Sequence, residues 1–181
     1  MPAVLRLFVA LDLPNELRAT LAALRIDEST WRPIPEEALH ITLAFLGARP
    51  PTDVDLIRPI IEAERAAPEL VIGNVLLLPP RRARVLTVEL EDPTNALREL
   101  QARVSHGLEQ AGVHTPEKRP FRAHVTVARM RPRVTPPREV PLDLEPTRFH
   151  GRSLTLYRSQ LHPSGASYHA LISQPLGYIQ P

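Results

Sequence analysis

The chain has 181 residues, of which 43% are hydrophobic and 23% charged, with a net charge of +2 and 21 prolines. Length and apolar content allow one domain or two closely joined lobes with a sizeable core. The absence of cysteine excludes a disulfide framework, a thiolate nucleophile and a cysteine zinc site.

In chain order, "LRLFVALDL" (5–13) reads as a strand and 14–24 as a helix, with Pro14 in the first turn and Leu17, Leu21 and Leu24 at helical spacing. "EALHITLAFLG" (37–47) reads as a strand closed by Gly47. A helix follows, with Thr52 as N-cap, Asp55 imitating a capping box and Leu56, Ile60 and Ile61 on its apolar face. Pro59 inside it is expected to kink or shorten it. Two strands, 69–79 and 83–91, are joined through Pro79-Pro80-Arg81-Arg82. A helix from Thr94 or Asn95 to about Ala111 carries Leu97, Leu100, Val104 and Leu108 on one side and stops at Gly112. "FRAHVTVARM" (121–130) is a strand; 131–147, with prolines at 132, 136, 137, 141 and 146, is a loop. The chain closes with two strands, 151–161 and 167–176, around "HPSGA".

The order strand, helix, strand with His-x-Thr occurs twice, ending at "LHITLAFLG" and at "FRAHVTVARM". It implies two similar lobes related by an approximate two-fold. Because side chains alternate across a strand, His40 and Thr42 share one face, and so do His124 and Thr126. Ala44 and Ala128 are expected on those same faces, keeping them unobstructed. Facing lobes would bring two imidazoles and two hydroxyls to one cleft.

Such a set suits displacement at phosphorus. One imidazole takes a proton from the attacking oxygen and the other gives one to the leaving oxygen, because imidazole titrates near neutral pH. The hydroxyls can hold the non-bridging oxygens, and Arg129 can offset charge building up there. A lone strand histidine is more often a packing residue, and threonine is simply a good strand former. Repetition at equivalent places turns the reading toward a site. A metal site is disfavoured, since neither motif carries an adjoining carboxylate. His106, His114, His150, His162 and His169 read as structural or surface residues. Arginines cluster at 81–84, at Lys118-Arg119 with Arg122, and at 129, 131 and 133. They are either compositional or face a phosphate-bearing substrate. There is no Gly-rich phosphate loop, no G-x-S-x-G and no H-E-x-x-H.

With "RLFVALDLP", "LHITLAFLG", "FRAHVTVAR" and "LYRSQLHPSGASYHAL", the sequence resembles the 2H phosphoesterases, and more closely the bacterial and archaeal RNA 2',3'-cyclic phosphodiesterases, also called 2'-5' RNA ligases. The resemblance spans nearly the whole chain. It implies one α+β domain over 1–181, with a bilobal, pseudo-two-fold pair of antiparallel sheets lining a central cleft and helices on the outer faces. It implies hydrolysis of RNA 2',3'-cyclic phosphate ends to 2'-phosphates without metal or cofactor, with 2'-5' ligation as the reverse. His40 would be the proton donor to the leaving 3'-oxygen and His124 the proton acceptor that activates water. Thr42, Thr126 and Arg129 would hold the phosphate. Phe45, Phe121 and Tyr157 are candidates for stacking on bases. The expected partner is RNA, with no membrane, and the protein is expected to be a cytoplasmic monomer. The alternatives are a phosphodiesterase for small cyclic nucleotides or 2'-5' oligonucleotides, and a non-catalytic RNA-binding module.

Overall fold

The structure is a computed structural model and describes residues 4–80, 82–142, 144–162 and 165–177. Arg81 of one arginine cluster and Pro163-Ser164 of the last connection lie outside the described residues. The strands are β1 (Leu5–Asp12), β2 (Trp31–Pro33), β3 (His40–Arg49), β4 (Glu69–Leu78), β5 (Val85–Glu91), β6 (His124–Met130), β7 (Arg148–His150), β8 (Ser153–His162) and β9 (Gly165–Pro175). The helices are α1 (Asn15–Ala22), α2 (Asp53–Glu62) and α3 (Ala96–Gln110).

The nine strands form one sheet, eight of them along the path β7-β4-β5-β6-β3-β1-β8-β9, with β2 off this path and paired to β6. Every strand pair is antiparallel. The expected two lobes are both present, β3-β1-β8-β9 and β4-β5-β6 with β7 and β2. Among the described residues, the ladder that joins their edge strands β3 and β6 is the single pair Ile41 with Val125. The path is its own mirror about that seam: β3 matches β6, β1 matches β5 and β8 matches β4. α1 connects β1 towards β3 as α3 connects β5 to β6, which is the repeat seen in the sequence.

β1 is central, and Leu7 through Leu11 are all buried. A strand covered on both faces reads as a continuous apolar run, here "LFVAL". On the helical side the core joins Leu7, Val9, Leu11, Ile41, Leu43 and Val125 with Ile57, Ile61, Leu97, Leu100, Val104 and Leu108. α3 packs against β3 of the opposite lobe. Leu21 of α1 and Val127 of β6 line one small apolar gap.

Several boundaries differ from the sequence reading for physical reasons. Gly47 does not close β3; it sits within the strand at φ 71°, where the β1 partner jumps from Gly47 to Phe45 across a bulge. Thr52 precedes α2, but its side chain makes no cap bond, so the imitation capping box is not formed. Arg49 donates to Asp53 instead, at 2.6 Å. Pro59 sits inside α2 without ending it. Ile61 is buried and Ile60 packs against the core as expected, but Leu56 is 49% exposed and Ile57 takes its place in the core. α3 is capped by Asp92, whose carboxylate accepts from the Leu97 and Arg98 amides, and it ends at Gly112 with φ 70°. β2 and β7, three residues each, carry too little pattern to be legible.

Candidate active site

The motif strands β3 and β6 lie side by side at the seam. The pair Ile41–Val125 fixes their register. One step to either side sets His40 across from Thr126 and Thr42 across from His124 on the face away from the helical core. Ile41, Leu43, Val125 and Val127 are buried, while His40, Thr42, His124 and Thr126 are partly exposed. The alternation expected for both motifs is therefore realised.

Both imidazoles are tethered in the same way. His40 Nδ1 lies 2.7 Å from the Ala38 carbonyl oxygen, and His124 Nδ1 lies 2.8 Å from the Arg122 carbonyl oxygen. A carbonyl only accepts, so each Nδ1 carries the proton and each Nε2 is left for chemistry. Thr42 Oγ1 lies 3.0 Å from His40 Nε2 and donates to it while the ring is neutral. Burial lowers the His40 pKa below its ordinary value. The Ala38 carbonyl and Asp12 oppose that shift, while Arg129 and His124 reinforce it. The two rings stand on adjoining strands, each one step from the Ile41–Val125 pair.

Ala44 and Ala128 are not where alternation put them. In β3 the partner jumps from Thr42–Ala10 to Ala44–Val9, and in β6 from Thr126–Thr87 to Ala128–Leu86. Each jump is a bulge that turns two successive residues, Leu43-Ala44 and Val127-Ala128, into the core, where all four are buried. The strand then resumes one residue late. That places Phe45, 60% exposed, and Arg129 on the cleft face instead of the alanines. Each bulge carbonyl is bonded from outside its own pair: Leu43 O by Gln101 Nε2 of α3 at 3.3 Å, and Val127 O by the Ile34 amide at 2.8 Å.

Rings gather over the first-lobe motif. The Phe8 ring centre lies 4.9 Å from that of His40, 5.3 Å from Tyr157 in a stacked arrangement, 6.2 Å from Phe45 and 5.0 Å edge-on from Tyr168. Tyr168 also meets His40 edge-on at 5.4 Å. Phe45 and Tyr157 thus belong to the site region, while Phe121 packs against the hydrophobic core. Tyr157 is spoken for: its hydroxyl donates to Asp12 Oδ1 at 2.8 Å. Burial, with Asp12 beside it, pushes its pKa above the ordinary tyrosine range.

Three participants were not identified from the sequence. Phe8 is hidden in an apolar run. Tyr168 faces the site only through the β8–β9 register, Ser159 opposite Tyr168. Arg32 stands opposite Arg129 because β2 pairs with β6. The tip of the β8–β9 hairpin reaches that arginine: a side-chain carbon on Gly165 would lie 3.8 Å from its guanidinium. Of the other arginines, Arg122 pairs with Glu89 and Arg131 with the Glu28 carbonyl. His106, His162 and His169 are exposed, and His150 lies 3.7 Å from Glu69. Among the described residues, no group of three or more histidine, aspartate or glutamate side chains is placed to hold a metal ion.

The chain matches the model of the 2'-5' RNA ligase superfamily over residues 13–163. It is 31% identical to an RNA 2',3'-cyclic phosphodiesterase of Thermus thermophilus, over 92% of this chain and 88% of that one. Its fold matches the crystal structure of TT0787 from the same organism with a TM-score of 0.81 at 27% identity, covering 94% of this chain and 97% of that one. It matches E. coli LigT complexed with 3'-AMP with a TM-score of 0.79 at 24% identity, over 96% and 99% of the two chains. The repeated motif strands, the shared fold and the family match lead to one conclusion: this chain belongs to the 2'-5' RNA ligase superfamily, and so to the 2H phosphoesterases, a family of enzymes.

Proposed function

We propose that the protein is a phosphodiesterase that opens RNA 2',3'-cyclic phosphate ends to 2'-phosphates, by acid–base catalysis between two histidines and without metal. The observation that carries this reading is the matched pair of tethered imidazoles on adjoining strands. Each holds Nδ1 on a carbonyl and leaves Nε2 for proton transfer, and each shares its strand face with the threonine two residues on, as a displacement at phosphorus asks of an acid and a base. The 31% identical relative is itself named an RNA 2',3'-cyclic phosphodiesterase.

In the proposed reaction, His124 Nε2 takes a proton from water as the oxygen attacks phosphorus. His40 Nε2, protonated, gives its proton to the departing 3'-oxygen. Thr42 and Thr126 donate to the non-bridging oxygens, and Arg129 balances the charge growing on them. Phe45 supplies an exposed ring on which a base can stack. In reverse, the two histidines exchange roles and a 2'-5' linkage forms. The whole chain acts as one catalytic unit, because the site draws on both lobes.

The test is incubation of the purified protein with RNA ending in a 2',3'-cyclic phosphate, with and without EDTA. The expected product is a 2'-phosphate end, at an unchanged rate in the chelator. A 3'-phosphate product would put the leaving oxygen on the wrong side. Loss of activity in EDTA, restored by a divalent metal, would refute the metal-free step.

A further inference from the structure

Each imidazole has a carboxylate directly opposite it on the next strand, in the same place of each lobe. Asp12 of β1 pairs with His40, and Glu89 of β5 pairs with His124. Side chains directly opposite on an antiparallel pair start about 5 Å apart at Cβ. The two carboxylates are treated differently.

Glu89 Oε1 accepts from Arg122 Nε and Nη2, both at 2.9 Å, so its charge is cancelled locally. Among the described residues Asp12 has no ion pair. Its Oδ2 accepts from Ser153 Oγ at 2.7 Å and Thr155 Oγ1 at 2.6 Å, and its Oδ1 from Tyr157 OH at 2.8 Å. Arg18, whose charge reaches Tyr157, donates instead to Asn15 at 2.7 Å. Three hydroxyls orient and stabilise a carboxylate without neutralising it.

Resting on the acid–base reading above, we propose that these carboxylates set the two histidines apart. Asp12 is a positioning residue whose uncancelled charge holds His40 toward the imidazolium form, as an acid needs. Glu89, paired with Arg122, offers His124 no such uncancelled charge. The groups facing His40 are Asp12 and Phe8 from β1, His124 and Arg129 from β6, and Tyr157 and Tyr168 from β8 and β9. Burial, Arg129 and His124 all disfavour its charged form; Asp12 and the Ala38 carbonyl favour it. Without Asp12 no side-chain charge would oppose burial, Arg129 and His124 at His40.

The experiment is an NMR titration of the histidine rings in the free protein, for wild type, Asp12→Asn and Arg122→Gln. The amide of Asp12→Asn removes the charge, keeps one oxygen as an acceptor and presents an NH2 in place of the other, towards which the hydroxyls can turn their lone pairs. This variant should lower the His40 pKa by about one unit and leave His124 in place. Arg122→Gln, at an exposed side chain, should raise the His124 pKa by uncovering Glu89. A His40 pKa unmoved by Asp12→Asn, or both histidines shifting equally, overturns the proposal. Should Asp12→Asn not fold, Arg122→Gln still decides: an unmoved His124 refutes the asymmetry. Titrations that move as stated in a protein with no activity on RNA 2',3'-cyclic phosphate ends support the asymmetry and overturn the substrate reading alone.

Discussion

The two motif strands share a register, a tether and a bulge, yet they end in different side chains. Three positions past the threonine, the first lobe presents Phe45 and the second Arg129. Around them the first lobe is aromatic, with Phe8, Tyr157 and Tyr168. The second is cationic, with Arg32 opposite Arg129. One backbone plan, used twice, thus carries an apolar wall and a charged wall. A nucleotide has the same division, a flat base and an anionic phosphate. Under the proposed function, the symmetric part of the site would position the chemistry and the asymmetric part would orient the substrate across it.

The comparison can be broken most decisively at the histidines, where the lobes are alike. His40→Ala and His124→Ala should each slow hydrolysis of a cyclic-phosphate RNA end by at least about 100-fold, the low end for losing a general acid or base. Steady-state kinetics on both would refute the pair if either variant kept near wild-type activity. A substrate with a better leaving group should rescue His40→Ala and not His124→Ala.

The next largest effect separates the walls. Arg129→Gln should lower kcat by about 100-fold, as expected for removing a group that stabilises developing charge. Phe45→Ala, at the matching position, should leave kcat in place and raise KM roughly tenfold, the scale of one lost base stack. Equal kcat losses in both variants would erase the division of labour.

A smaller shift concerns pH. Burial holds the His40 pKa below its ordinary value in the free protein. A bound phosphate anion favours the imidazolium and raises it again. The pH profile of kcat, which reports the complex, should therefore lie at higher pH than that of kcat/KM, which reports the free enzyme. The limbs belong to the coupled pair of histidines. Superimposed profiles would mean that the anion does not sit against His40.

The smallest expected effect is on stability. Gln101→Leu removes the donor to the Leu43 carbonyl at the bulge. Leaving that carbonyl unpaired should cost about 1–3 kcal/mol, measured by denaturant unfolding, with the histidine titrations little changed. A neutral result would mean that water replaces Gln101.

Much of this was legible in the sequence, and the exceptions have a common cause. Strict alternation located His40, Thr42, His124 and Thr126, because β3 and β6 are regular over those residues. It misplaced Ala44 and Ala128, because a bulge inserts a residue without any local composition signal when the inserted side chain is apolar. Arg129 was found by its place after the motif, although the bulge is what turns it to the cleft. Tyr168 and Arg32 depend on the pairing of distant strands, which no window of sequence contains. The lobes were expected as two sheets. They join at the Ile41–Val125 pair, a contact too brief to leave a pattern.

The two bulge carbonyls also bear on the ancestry of such a molecule. Leu43 O is satisfied by the helix of the second repeat, and Val127 O by the segment that follows the helix of the first. A single repeat standing alone would bury one of these oxygens with no donor. Two copies side by side would supply each other, as in a domain-swapped dimer. Fusion of such a pair into one chain would then free its two halves to diverge, one toward Phe45 and the other toward Arg129.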